Sequence, residues 1–213
     1  MPRGRSASYD EQRTLILERA AALFARHGYP STSMNQVAQA CELSKATLYH
    51  YYRDKYTLLV SIADGHVSRL AALVDDEATP ALGSEARLRQ LIHRIVEEYA
   101  NARNAHRVLT EDARFLEPED RERVLGKERR VVAAFAEAVA RVRPGAPSAP
   151  LAKPLTMLLF GMVNWMFTWM KPDGALSHAA MGPIVADLFL GGIGKVESPP
   201  AAVPHAQRPT PDA

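Results

Sequence analysis

The apolar residues of this chain recur at three- and four-residue spacing almost from end to end, the period of helices with one buried face. Leu15, Ile16, Ala20, Leu23 and Phe24 form the first such stripe, and His27-Gly28 supplies its stop. The same period predicts helices over residues 34–41, 45–51, 55–77, 85–101, 105–113, 118–141, 153–170 and 178–190. No alternating strand pattern flanked by hairpin turns competes with them. The expected fold class is therefore all-α, with about nine helices. Pro144, Pro147, Pro150 and Pro154 separate two helical patterns and read as a loop. Asp173-Gly174 and Ser177 read as the stop and the cap between the last two long helices.

Two predicted helices are very short and stand in tandem. Ser33-Met34-Asn35-Gln36 matches a capping box, in which the Ser33 hydroxyl and the Gln36 side chain satisfy each other's backbone N–H. Val37, Ala38 and Cys41 then face inward. After the turn Cys41-Glu42-Leu43, Ser44 is placed to cap a second helix that buries Leu48 and Tyr52 and exposes Lys45, Ala46, Tyr49 and His50. Helix, tight turn and helix with a polar outer face is the helix-turn-helix arrangement, whose second element enters the major groove of B-DNA. Lys45 can donate to guanine O6 or N7, and Ala46 is small enough to approach a base or a thymine methyl. Thr47, Tyr51 and Ser33 offer hydroxyls to phosphate oxygens, and Lys55 offers a charge. Spacing alone fits equally well two short helices of an ordinary bundle.

Composition changes this picture in two ways. The chain has 213 residues, 47% of them apolar, enough for one large or two small domains, and a formal charge of only +2. That near-neutral balance removes any whole-protein argument for nucleic acid. Within residues 1–60, however, eight Lys/Arg face five Asp/Glu, so the local excess is +3 and the remainder carries −1. A single cysteine, Cys41, excludes a disulfide framework and a multi-cysteine zinc site. The polar start, Met1 to Gln12, contains no export signal, and a cytoplasmic location is expected. The apolar stretch 155–170 is shorter than the roughly 20 residues a bilayer requires, and it contains Thr156, Asn164 and Thr168. It reads as a buried helix, with no membrane partner. Beyond Val196 the chain is proline-rich with few large apolar residues, so 196–213 is expected to be a disordered tail.

Residues 28–59, GYPSTSMNQVAQACELSKATLYHYYRDKYTLL, resemble the DNA-binding domain of the TetR family of one-component transcriptional regulators. The shared features are the aromatic after Gly28, the Thr32-Ser33 cap, Val37-Ala38, Ser44, Thr47-Leu48-Tyr49, Tyr51-Tyr52, Lys55 and Leu58-Leu59. The resemblance implies a helix-turn-helix domain over 1–54 and a helical ligand-binding and dimerisation domain over 55–195. It implies a homodimer on a palindromic double-stranded operator, repressing until a small-molecule effector releases it. Carried over by position, Lys45, Ala46, Tyr49 and His50 fall on base contacts, and Ser33, Thr47, Tyr51 and Lys55 on backbone contacts. Asn35 falls where either role is open. Glu42 departs from the pattern, because the family has glycine at this turn; either the glutamate bears a strain of order 1 kcal/mol or the turn is adjusted.

In the resembling family the last two long helices, here 153–170 and 178–190, pair with their copies in a partner subunit. Gly161 would permit close approach, although both helices can also be read as internal core. Asn164, Trp165 and Trp169 lie on one side of their helix and line either a ligand pocket or the core. Arg94, Arg103, His106 and Arg107 either contact a phosphorylated ligand or form solvated helix surface. The run FGMVNWMFTWMKPDGALS resembles the C-terminal domains of regulators answering to acyl-coenzyme A thioesters, and the stretch from Tyr49 to Leu70 resembles regulators of phenylacetate degradation. An acyl-CoA such as phenylacetyl-CoA is the effector this suggests. A small helical enzyme and a bare dimerisation module are the alternatives. His93 and Glu97 are the one pair suited to metal or proton transfer, and they read equally as a surface contact. No Ser/His/Asp ordering, phosphate loop or zinc motif supports catalysis, and no cofactor is expected.

Overall fold

The computed structural model describes residues 7–76, 83–142, 149–170 and 176–193. Among them are ten α-helical segments and no strand: α1 Ala7–His27, α2 Met34–Ala40, α3 Lys45–Tyr51, α4 Lys55–Asp75, α5 Ser84–Asn101, α6 Arg103–Asp112, α7 Pro118–Val142, α8 Ala149–Asn164, α9 Met166–Trp169 and α10 His178–Ile193. Since α9 is a single turn that resumes α8 after a break at Trp165, the long-range architecture has nine helical rods. The tail 196–213, Asp173-Gly174, Pro144 and Pro147 lie outside the described residues.

The termini form where local chemistry places them. Gly28 ends α1 at φ +81, its N–H donating to the Phe24 carbonyl at 2.7 Å, a left-handed position that costs glycine least. The buried Thr32 hydroxyl closes the same end by donating to the Gly28 carbonyl at 3.0 Å. The Asp54 carboxylate caps α4, accepting from the Thr57 N–H at 2.6 Å. Ser177 caps α10 through the Ala180 N–H at 3.2 Å.

Two apolar cores stack along the molecule. The lower core joins Ile16, Ala20 and Phe24 of α1, Val37 and Ala38 of α2, and Leu48 of α3 to the first half of α4, with Val108 and Leu109 of α6 closing it. The upper core joins Leu70, Ala71 and Val74 of α4 to Leu88, Ile92 and Ile95 of α5, Phe135 and Val139 of α7, Leu159 and Phe160 of α8, and Val185 and Phe189 of α10. Helix α4, 21 residues long, is apolar and long enough by composition to cross a membrane. Eight of its residues are nevertheless buried in these two cores, and it carries Asp64, buried His66 and Arg69 midway.

The proline-rich loop is corrected. Pro150 and Pro154 belong to α8, which starts at Ala149. Pro150 sits in the first turn, where a backbone N–H has no intrahelical acceptor in any case, and Pro154 forfeits one ladder bond just beyond it. The continuous helix expected over 153–170 is also corrected, because it breaks at Trp165. There the Thr168 hydroxyl and N–H both bond to the Trp165 carbonyl, at 2.7 and 3.1 Å, tightening the turn.

Helix α10 lies closest to α5 where Gly182 meets His93: a Cβ on Gly182 would stand 3.3 Å from a His93 ring carbon and 3.4 Å from its Cα. Gly182→Leu should therefore overpack this contact and lower stability by about 1–3 kcal/mol. Thermal melting checks it, and an unchanged midpoint would show that α10 shifts freely along α5.

Candidate nucleic-acid interface

The two short helices are held by reciprocal caps. The Ser33 hydroxyl accepts from the Gln36 N–H at 3.3 Å, and the Gln36 Oε1 accepts from the Ser33 N–H at 2.8 Å. Helix α3 opens with the Ser44 hydroxyl accepting from the Thr47 N–H at 3.0 Å, and the two hydroxyl oxygens stand 2.8 Å apart. Between them the Leu43 N–H reaches the Ala38 carbonyl at 2.9 Å and the Glu42 N–H the Gln39 carbonyl at 3.1 Å. This is the paired bonding of a Schellman turn, which needs a left-handed residue at its centre. Glu42 occupies that place at φ 56, alone among the described non-glycine residues in having a positive φ. The turn is not adjusted, and the glutamate bears the strain.

With Leu48 fully buried and Tyr52 nearly so beneath α3, the residues Lys45, Ala46, Thr47, Tyr49 and His50 are exposed together on its outer face. The Lys45 ammonium stands 5.8 Å from the centroid of the Tyr49 ring. Ser33 and Asn35 are exposed at the start of α2. Tyr51 is half-buried, with its ring stacked on Tyr9 of α1 at 4.9 Å. Lys55 is turned inward: its ammonium donates to the carbonyls of Tyr29 at 2.8 Å and Pro30 at 3.1 Å and lies 4.5 Å above the Tyr29 ring. Burial holds its pKa below the usual lysine value. Two of its three donors thus bind the loop after α1, leaving one for a phosphate. Tyr9 and Arg13 escaped the sequence reading, although they extend the stripe of Ile16 and Ala20 backwards at helical spacing.

Higher in the molecule, a polar chain crosses the interior. The His66 Nε2 of α4 lies 3.3 Å from the His106 Nδ1 of α6, and both side chains are buried. His106 stacks on Tyr99 of α5, with centroids 3.7 Å apart, and its ring stands beside the Asn164 backbone. On the other side of His66, an Arg69 amino group is 3.4 Å from Nδ1, while the Arg69 Nε donates to Glu98 at 2.7 Å. The Glu98 carboxylate stands 3.7 Å from the same Nδ1, so His66 either accepts there from Arg69 or donates there to Glu98, and its Nε2 takes the opposite role towards His106. Both imidazoles are neutral: burial first, and then the neighbouring His66, push the His106 pKa down to about 3, and burial lowers that of His66. His106 is thus an interior residue and not solvated surface. Arg94 and Arg107, by contrast, form ion pairs with Asp76 at 2.9 Å and Glu111 at 3.0 Å.

Arg103 donates to the Met170 carbonyl at 3.0 Å, joining α6 to the end of α9. It also lines a cleft of about 780 Å³ between α1, α4 and the α5–α6 turn, together with Arg19, Arg69, Glu98, Asn101 and Asn104. Asn164 is partly buried beside His106, with its Oδ1 lacking a partner. The expected placement of Trp165 and Trp169 in a pocket or in the core is corrected: they are 66% and 54% exposed. The break at Trp165 turns both indoles outward, where they join Met157 and Leu158 of α8 and Ile184 and Leu188 of α10 as exposed apolar surface. Gly161 lies on the same side, open to solvent. Among the described residues no group of three or more His, Cys, Asp or Glu is placed to hold a metal ion. His93, of the pair with Glu97, lies against Gly182 of α10.

Residues 16–62 match the bacterial regulatory proteins of the tetR family, and residues 81–193, more than half of the chain, match the tetracyclin repressor-like C-terminal domain. The chain belongs to the TetR family. A TetR-family regulator from Bordetella parapertussis is 36% identical, with 88% of this chain and 98% of that one aligned at a TM-score of 0.78. The TetR-family regulator PfmR from Thermus thermophilus is 26% identical over 83% of this chain and 97% of its own, at 0.72. AibR in complex with isovaleryl coenzyme A and operator DNA is 25% identical over 84% of this chain and 96% of its own, at 0.69. Curated relatives include the activator FasR of Mycolicibacterium smegmatis, 25% identical over 55% of this chain, and the repressor KstR of Mycobacterium tuberculosis, 30% identical over 42%. The chain spans only 53% and 41% of those two proteins. This TetR-family chain is a helix-turn-helix transcriptional regulator.

Two outcomes are expected. Glu42→Gly should relieve the turn and raise stability by about 0.5–1 kcal/mol, since the relief exceeds the added unfolded-state entropy; urea melts measure it, and a destabilised variant would refute the strain. Separately, His66 and His106 titrate near 6.5 when unfolded but lower when folded. Their contribution is complete above that unfolded value and is lost as pH falls towards the folded value, by up to about 1.4 kcal/mol per pH unit for each histidine. Arg69 and Glu98 face the pair, and the depressed Glu98 pKa steepens the loss only at more acid pH. Melts between pH 7.5 and 5 should show a shallower slope in the His66→Asn/His106→Asn variant, and an equal slope would remove the assignment.

Proposed function

We propose that this protein is a homodimeric, operator-binding repressor of the cytoplasm that leaves its DNA when a small molecule binds the C-terminal helices. The observation that carries the reading is α3, whose exposed Lys45, Ala46, Tyr49 and His50 stand over a fully buried Leu48. Lys45 and His50 supply donors for base edges, Ala46 permits close approach, and Tyr49 offers both ring and hydroxyl. Ser33, Thr47, Tyr51 and the remaining Lys55 donor take the phosphate backbone, with Asn35 beside them. The head is residues 1–54 and the sensing and pairing domain is 55–195.

The exposed apolar face of α8 and α10 favours a second copy of the chain. Met157, Leu158, Trp165, Ile184 and Leu188 are large apolar side chains left exposed on and beside two helices that touch each other, the kind of surface that marks a protein interface, and open Gly161 lets two helices approach closely. A dimer puts two copies of α3 on half-sites about 34–36 Å apart, so a small tilt of α4 in each subunit misplaces both.

For the effector we propose an acyl-CoA thioester of the phenylacetyl type. AibR, of similar fold, is known with isovaleryl coenzyme A and operator DNA. Here Arg103 with Arg19 and Arg69 offers guanidiniums to phosphates in the cleft beside α1, while His106 is buried and Asn164 partly buried elsewhere on the chain. The effector acts by preferring the α4 position that DNA does not.

An operator selected from random duplex DNA tests the whole reading. Tyr49→Ala should weaken the specific shift by about 1–3 kcal/mol, or five- to hundredfold, with the dimer intact in sedimentation. Leu188→Glu should abolish both dimer and shift. The thioester should release the operator while the free acid does not. A wild type that selects no sequence would refute the reader, and release only by molecules lacking CoA would refute the effector.

A further inference from the structure

We infer that Tyr9, in the first turns of α1, is a positioning residue for sequence recognition: its ring sets the C-terminal half of α3, and through it His50. The inference rests on the DNA-reading role proposed above and extends it to a residue outside the helix-turn-helix.

Helix α3 has only seven residues, too few to keep a fixed direction without outside support. Its start is fixed by the Ser44 cap and the Schellman turn, and its middle by buried Leu48. At the far end the Tyr52 N–H closes the last turn on the Leu48 carbonyl at 3.0 Å and the Tyr52 ring is buried, which leaves the outer side with Tyr51 and His50 to be set. That side is gripped from α1 through a pair of rings. Tyr9 stacks on Tyr51 with centroids 4.9 Å apart and planes inclined by 27°. One turn further along α1, the Arg13 guanidinium carbon stands 5.3 Å from the centroid of the Tyr52 ring. Positions 9 and 13 are four apart and share one face of α1, so the same stripe that enters the core at Ile16 and Ala20 reaches past it as a two-pronged brace.

The stack continues outward. Tyr51 meets the exposed His50 ring edge-on at 5.7 Å with an interplanar angle of 82°, so Tyr9, Tyr51 and His50 form one series of three rings. Offset and edge-on contacts of this kind are directional. A recognition side chain must be held to a fraction of an ångström and some ten to twenty degrees to tell one base edge from another. Removing Tyr9 leaves Leu48, Tyr52 and both caps in place, so the head folds while the Tyr51 and His50 rings lose their outer stop. Specific binding needs that geometry and non-specific phosphate binding does not.

The experiment measures affinity for the selected operator and for a scrambled duplex of equal length, at one salt concentration, by fluorescence anisotropy. Tyr9→Ala should lose roughly threefold to tenfold in operator affinity, with scrambled affinity within about twofold and circular dichroism unchanged. Tyr9→Phe keeps the ring and should restore the wild-type ratio. In a double-mutant cycle on operator affinity, Tyr9→Ala and His50→Ala should be non-additive. The inference is overturned by an unaltered specificity ratio in Tyr9→Ala, by equal losses on both duplexes, or by Tyr9→Phe behaving as Ala, which would make the hydroxyl a direct DNA contact. A wild type that enriches no sequence removes the DNA reading and this inference with it. A specific wild type beside an unaffected Tyr9→Ala removes the inference alone.

Discussion

Helix α4 belongs to two cores at once, and the rest of the architecture follows from that. Its first half puts Leu58, Leu59, Ile62, Ala63 and Val67 into the core shared with α1, α2, α3 and α6, packing on α1 and α6, while Leu70, Ala71 and Val74 enter the upper core. Helices α2 and α3 are too short to be stable alone, so they depend on the core that this rod shares with the upper body. The head is not sealed off either, since Val108 and Leu109 of α6 help to close its core. The two cores are therefore joined by one unbroken helix of 21 residues.

Polar contacts hold that rod on two sides. Towards α7, the Tyr56 hydroxyl donates to Asp120 at 2.6 Å, Lys127 reaches Asp64 at 2.7 Å and the Ser68 hydroxyl at 2.8 Å, and Arg130 pairs with Asp75 at 2.9 Å. Burial and the Asp120 carboxylate push the Tyr56 pKa up to about 12, so the phenol keeps its proton. Towards α5 and α6 lie Glu98, Arg69, His66 and His106. The α7 side is largely solvent-accessible, where such pairs contribute little each. The histidine side is buried, where losing one partner is costly. The two sides thus resist tilting unequally, and the buried one dominates.

The helices and the recognition turn were legible in the sequence because their signals are local. Ser33, Gln36 and Ser44 announce caps, Gly28 a stop, and Leu48 and Tyr52 an inward face, and each requires only neighbours within four residues. What escaped depends on other elements. The indoles of Trp165 and Trp169 face outward because α8 breaks between Asn164 and Met166, which no proline or glycine marks. Lys55 reads as a free cation until the carbonyls of Tyr29 and Pro30, more than twenty residues away, are folded against it. His106 reads as surface in a polar stretch, RNAHRVLTED, and only the crossing of α4, α5 and α6 makes it an interior partner of His66 and Tyr99.

The break at Trp165 has an optical consequence. The chain has two tryptophans in all, and both are on the exposed face of α8 and α9. Excited at wavelengths where tyrosine is silent, the protein emits from that surface alone, with no indole in either core to dilute the signal. Emission wavelength and quenching by iodide thus report whether this face is wet or covered, without any label.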